Sequence, residues 1–183
     1  MAPMAEMRVV GIGSGPAAAQ RVLVLGTRQH GPEPDRYLVL WIGEAEAAAI
    51  EMEQRQVIPP RPATHQLIAQ VIMALGHELA EVRVVALCDE VFHAELAMRS
   101  GAVVSARPSD AVAIALHSGV RIMATRELLD QAAVPNLAGI TLVRAFPPPA
   151  RSEPDRPAAV EEQEIERFRS FLESVRPEDF DSA

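Results

Sequence analysis

VVSARPSDAVAIAL, residues 103–116, is the stretch on which the reading of this chain turns. A short β-like run gives way at Arg107, Pro108, Ser109 and Asp110 to six consecutive apolar residues, 111–116. Proline at a first helical position is pre-set for the turn, and an acid in the first turn complements the positive end of the helix dipole. Gly119 supplies the stop. The segment therefore reads as a buried helix with a polar entrance. A second stretch, LVLWIGEAEAAAIEM at 38–52, has the same layout. A shift of 64 residues lays Glu46 over Asp110, Ala47 over Ala111, Ala49 over Ala113 and Ile50 over Ile114.

Working outward, residues 7–12, 21–26 and 37–42 are short Val, Leu and Ile-rich runs bounded by breakers, and read as strands. Residues 64–75 read as a helix: Leu67, Ile68, Val71, Ile72 and Leu75 form an apolar stripe, Thr64 suits the N-cap and Gly76 the end. Strands are expected again at 82–88, 91–99 and 102–105, with connections short enough for antiparallel hairpins. After the helix opened by Pro108 come a short strand at 121–124 and a helical run from Glu127. The order predicts an α+β fold, a largely antiparallel or mixed sheet with packed helices, and an internal duplication of a β-β-β-α unit. Each unit should be followed by a short strand and a second helix. Such symmetry would let Glu46 and Asp110 face each other. The body should span 1–146, a Pro and acid-rich linker 147–159, and an amphipathic helix and tail 160–183, where Ile165, Phe168, Phe171, Leu172 and Val175 share one face.

Composition narrows the classes. All 17 basic residues are Arg, a pattern of codon usage more than of phosphate recognition. The net charge is −8, and residues 147–183 hold 5 Arg against 10 Asp and Glu, so the body is close to neutral. Long-range attraction of nucleic acid is thereby disfavoured, while a local Arg-lined site is permitted. Aromatics make up 4% of the chain, too few for a base-stacking platform. The one Cys88 sits in the alternating run VRVVALCD and is expected in the core of a protein from a reducing compartment. The absence of a signal-like start and of an apolar run near 18 residues predicts a soluble, cytoplasmic, non-membrane protein.

GIGSG at 11–15 invites a dinucleotide-binding reading, but Pro16 replaces the third glycine and the next strand follows too soon for a crossover helix. A hairpin loop is expected there. The polar entrances are the better candidates. Exposed N–H groups at a helix start, with an Arg beside them, can hold an anion, while Asp110 or Glu46 holds a metal or activates water. A second Arg-Pro pair, RPATHQLI at 61–68, adds Arg61, with Thr64 and His65 just inside the helix; a neutral imidazole there could accept a proton or bind a metal. His117, near the far end of the Asp110 helix, is expected to cap that end. No nucleophile elbow, paired-Cys zinc pattern, His-Glu-x-x-His or phosphate-binding loop occurs.

Taken together, WIGEAEAAAI, PPRPATHQLIAQVIMALG and SARPSDAVAIALHSGVRI resemble the bifunctional nuclease domain family of bacteria and plants, over roughly residues 7–133. The chain looks most like actinobacterial members, whose tails also end in a helix similar to EIERFRSFLESVRPEDF. The resemblance implies hydrolysis of phosphodiester bonds in DNA or RNA; a divalent Mg or Mn ion is compatible with the carboxylates, no organic cofactor is expected, and a homo-oligomer is expected. The family's motifs fall on Glu46, on Arg61, Thr64 and His65, and on Arg107, Ser109 and Asp110, but bring no agreed catalytic set; from the chemistry of these residues, Arg61 and Arg107 are expected to grip phosphate, Glu46 and Asp110 to hold a metal ion or orient water, and His65 to be the acid or base. Thr64 and Ser109 would cap and position. Many relatives carry an acid at Gln66, Tyr at His93, Asp at Ser105, Arg at His117 and Pro at Arg121; fewer acids favour one metal or none over a two-metal scheme. The alternative is a non-catalytic module that binds an anion or a partner, which the acidic charge and scarce aromatics favour.

Overall fold

The computed structural model describes residues 3–15, 21–28 and 34–142. The expected linker and tail helix, 147–183, lie outside the described residues. The elements run β1 (Met4–Ser14), β2 (Arg21–Thr27), β3 (Tyr37–Ile42), α1 (Glu44–Gln54), α2 (Thr64–Ala74), β4 (Leu79–Cys88), β5 (Val91–Met98), β6 (Val103–Ala106), α3 (Pro108–Ser118), β7 (Arg121–Thr125), α4 (Arg126–Ala132) and β8 (Thr141–Leu142). The strands form one mixed sheet in the order β3-β2-β1-β7-β4-β5-β6, with β8 added on β1. Only β4 and β7 pair in parallel; the other pairings among the described strands are antiparallel. The fold is α+β, as its pattern predicts.

The β-β-β-α order occurs twice, and the two three-stranded meanders flank β7. The repetition stops there. The chain passes from α1 to α2 without the short strand that follows α3, so the repeat is one of element order over four elements.

Burial explains the apolar runs. Val22, Leu23, Val24 and Leu25 of β2 are all fully buried, which requires cover on both faces, and a continuous apolar run satisfies it. Residues 111–115 of α3 are buried all round; all five are Ala, Val or Ile, with small or branched side chains that let α1, α2, β4, β5 and β7 approach closely. Pro108 occupies its first turn, and Gly119 ends it in the left-handed conformation at φ 66°. α1 buries Ala47 and Ile50 against this helix.

Four expectations are corrected. GIGSG is mostly strand: residues 11–14 continue β1, pairing Gly11 with Val24 and Gly13 with Val22 beyond a bulge after Val9. A Cβ on Gly13 would lie 2.9 Å from the Thr141 carbonyl oxygen, so glycine here admits β8. Cys88 is exposed, since it closes the β4–β5 hairpin, whose turn residues Asp89 and Glu90 have φ of 48° and 63°. Ala63, and not Thr64, is the N-cap of α2. Finally, α2 buries Gln66 and Ala69, while Leu67, Ile68, Val71 and Leu75 stay exposed. Among the described residues no helix is long and apolar enough to cross a membrane.

Replacing fully buried Ile50 with Ala should cost ~2–5 kcal/mol through lost burial and the cavity left behind. The same change at Ile58, 92% exposed, should stay within about 0.5 kcal/mol. Urea unfolding of both variants measures the contrast.

Candidate functional site

Three helix starts meet at one cluster of side chains. Gly43, Ala63 and Arg107 are the N-caps of α1, α2 and α3, so Glu46 and Asp110 both stand at the third helical position and His65 at the second. Each N-terminus presents unpaired N–H groups and a partial positive charge, which favours acids at these places. A Cβ at residue 43 would collide with the Glu46 carboxylate; Gly43 thus lets that side chain fold back over the helix start.

Arg107 joins the helices. Its Nη1 donates to Glu46 Oε1 at 2.8 Å, its Nε to Asp110 Oδ2 at 2.7 Å and its Nη2 to Asp110 Oδ1 at 3.1 Å. The contact with Asp110 is two-pronged, the geometry for which guanidinium is suited. His65 Nε2 lies 3.0 Å from Asp110 Oδ1. The Glu46, Asp110 and His65 side chains are mostly buried, while Arg107 is 66% exposed, so the guanidinium faces solvent over a sheltered acid pair.

The electrostatics follow from the contacts. The Glu46 carboxyl lies below the usual carboxylate range because its own backbone N–H and then Arg107 donate to the charged form. Burial pushes the Asp110 carboxyl up, but hydrogen bonds from Arg107 and His65, with the charge of Arg107, outweigh it and leave the group below its ordinary value. An ionised Asp110 can only accept. His65 Nε2 must therefore carry the proton in their hydrogen bond, so that in the neutral imidazole the lone pair is on Nδ1.

The structure thus brings together Glu46, His65, Arg107 and Asp110. It does not draw in the remaining candidates: Arg61 is exposed two residues ahead of the α2 cap and forms no hydrogen bond or ion pair with the described residues, Thr64 is exposed at the first helical position and Ser109 is buried at the second. As arranged, both carboxylates are committed to Arg107, which sits where a cation shared by them would sit. No group of three or more His, Cys, Asp or Glu among the described residues is set to hold a metal ion.

A second polar tie joins the far ends of α1 and α3 to the first turn of α2. Glu53 of α1 accepts from Gln66 Nε2 of α2 at 2.9 Å and lies 3.2 Å from His117 Nδ1 of α3, while Gln66 Oε1 accepts from the Ala63 backbone N–H at 3.0 Å. His117 therefore pairs with a neighbouring helix instead of capping its own. Glu53 and Gln66 escaped the sequence reading as site residues, although the shift of 64 that lays Glu46 over Asp110 also lays Glu53 over His117. Ties at both ends between equivalent positions mean that α1 and α3 run parallel and without stagger. Because Gln66 is held by Glu53 and caps Ala63, this rear tie also fixes the turn that carries His65.

Two expectations follow. Glu46 and Asp110 have lowered folded-state values, so their stabilising effect is present above the unfolded carboxylate range near ~4 and is lost as pH falls through the folded values. Urea midpoints measured from pH 5 to pH 2 should fall in the native chain and fall less steeply in Asp110→Asn. Glu53→Ala leaves two polar partners unpaired and should cost ~1–3 kcal/mol in the same assay at neutral pH.

The uncharacterized protein Rv1829 of Mycobacterium tuberculosis H37Rv is 46% identical over 177 residues, covering 97% of this chain and 98% of that protein. The uncharacterized protein MT1877 of the CDC 1551 strain matches to the same extent. The model of the bifunctional nuclease domain matches residues 23–136, which include α1, α2, α3 and all four linked side chains. The chain belongs to the bifunctional nuclease domain family.

Proposed function

We propose that the protein hydrolyses phosphodiester bonds in DNA or RNA at the junction of α1, α2 and α3. The observation that carries this reading is Asp110, which accepts from His65 Nε2 and from Arg107 at once. A carboxylate that holds one face of an imidazole fixes its tautomer and orientation, and leaves the other nitrogen free to take a proton. In the proposed step His65 Nδ1 removes a proton from water, and that oxygen adds to phosphorus. The ester P–O bond then breaks and the leaving oxygen is protonated by solvent. Arg107 faces solvent beside the imidazole and would offset charge growing on the phosphoryl oxygens, exchanging its Glu46 contact for the phosphate. Arg61, free of ion pairs with the described residues, would hold a flanking phosphate. A divalent ion would have to displace Arg107 from between Glu46 and Asp110.

The rival reading, a non-catalytic module for an anion or a partner, is favoured by the same guanidinium: three of its donors are already occupied by Glu46 and Asp110. Purified full chain offered fluorogenic single-stranded DNA and RNA, with Mg²⁺, Mn²⁺ or chelator, separates the two. Cleavage should fall ~10²–10⁴-fold in His65→Gln, as expected for loss of a general base, and comparably in Arg107→Gln, with both variants folded. Cleavage unchanged in both folded variants identifies a contaminant. No cleavage under any condition leaves the binding module.

A further inference from the structure

α2 is oriented against its own hydrophobic pattern. Its buried residues are Gln66 and Ala69, whereas Leu67, Val71 and Leu75 on the opposite side are 52%, 46% and 70% exposed, with Ile68 beside them. At 100° per residue, positions 67, 71 and 75 fall within roughly 80° of arc, and together with 68 they make one continuous apolar strip along the ~16 Å helix. The inversion is imposed from inside. The side facing α3 must carry Gln66 to reach Glu53 and to cap Ala63, so the bulky residues are turned outward.

Contiguous apolar surface of this kind marks an interaction site more than a solvated face. Three features point to what covers it. Between residues 64 and 76 the only titratable side chain is His65, which is turned to Asp110. A helix face without charge lets two copies meet without desolvating or opposing charged groups. The strip is also symmetric about Val71. Set antiparallel on a second α2 across a two-fold axis at Val71, Leu67 meets Leu75 of the other copy, and bulky Ile68 meets small Ala74. A surface on an isologous axis has to be self-complementary in this way.

We propose that the outward face of α2 is a homodimer seam in which two copies pack antiparallel about Val71. A two-helix seam of this length lies at the small end of stable interfaces, so dissociation is expected in the micromolar range, ~1–100 μM. The seam leaves Arg107 at the solvent face of each copy's own site, so the assembly does not depend on the hydrolytic reading.

Sedimentation equilibrium on the full chain at about 100 μM should give an average mass well above that of one chain, rising toward twice the chain mass with concentration. Val71→Arg, which sets two like charges on the axis, should weaken association at least ~100-fold while circular dichroism and the thermal melt stay as in the native chain. The pair Leu67→Glu with Leu75→Arg should keep the dimer, because antiparallel packing sets each acid against the other copy's Arg; Leu67→Glu with Leu75→Glu should abolish it. Should Val71→Arg fail to fold, Val71→Cys in a Cys88→Ser background gives the same answer, since a residue on the axis cross-links to its own copy under mild oxidant. A native chain of single mass overturns the proposal: an engineered thiol at 71 that is blocked to alkylation then assigns the cover to residues beyond 142, and an open one to a different protein. A dimer whose mass Val71→Arg leaves unchanged overturns it as well.

Discussion

The guanidinium of Arg107 is the contact around which the molecule is arranged. Glu46 and Asp110 occupy matching positions at the starts of adjacent parallel helices, and two sheltered carboxylates at such places repel. Arg107, the N-cap of α3 itself, reaches both and turns repulsion into a tie between α1 and α3. Its exposure matters as much as its partners. A guanidinium at the surface can leave one partner for an incoming anion, which a fully buried one could not do without leaving an acid unpaired.

From that tie the roles of the other elements follow. α3 is surrounded by apolar neighbours over residues 111–115, so its start is held by the packed core, and the side chains at its entrance inherit that rigidity. The rear contact of Glu53 with His117 stops α1 and α3 from pivoting about the front one, while Gln66 ties the first turn of α2 to the end of α1. Two polar ties separated by two turns define an alignment where a single one would leave a hinge. The imidazole of His65 is oriented by both, directly through Asp110 and indirectly through the cap that Gln66 provides.

The apolar runs and their breakers made the α+β class, the strand order along the chain and the limits of α3 legible, because periodicity and the residues Pro108 and Gly119 act locally. The meeting of Glu46 and Asp110 was also legible, since it follows from two helices entered in the same way. Less was readable where a long-range partner decides. α2 has the strongest helical stripe in the chain, yet one hydrogen-bonded glutamine outweighs it and turns the stripe to solvent, a choice that depends on Glu53 thirteen residues away. Cys88 looked buried because alternation does not reveal where a strand ends, and the glycines of β1 looked like a loop because the strand that needs them, β8, begins more than a hundred residues later. Arg61 shows the opposite limit: a motif can name a residue that the described fold leaves without a partner.

The placement of β7 between the two meanders has a bearing on how the chain is made. Away from β2, the start of strand β1, Met4–Met7, finds its partner in Ile122–Thr125 of β7, more than a hundred residues further on. During synthesis the first meander must wait, with that margin of β1 bare, until nearly the whole body has left the ribosome. Contacts of such wide separation slow the final closure, and an unprotected strand margin invites pairing with another nascent chain. β7 is thus the stave that joins the two halves of the sheet, and truncations that stop short of it would leave two half-sheets prone to clump.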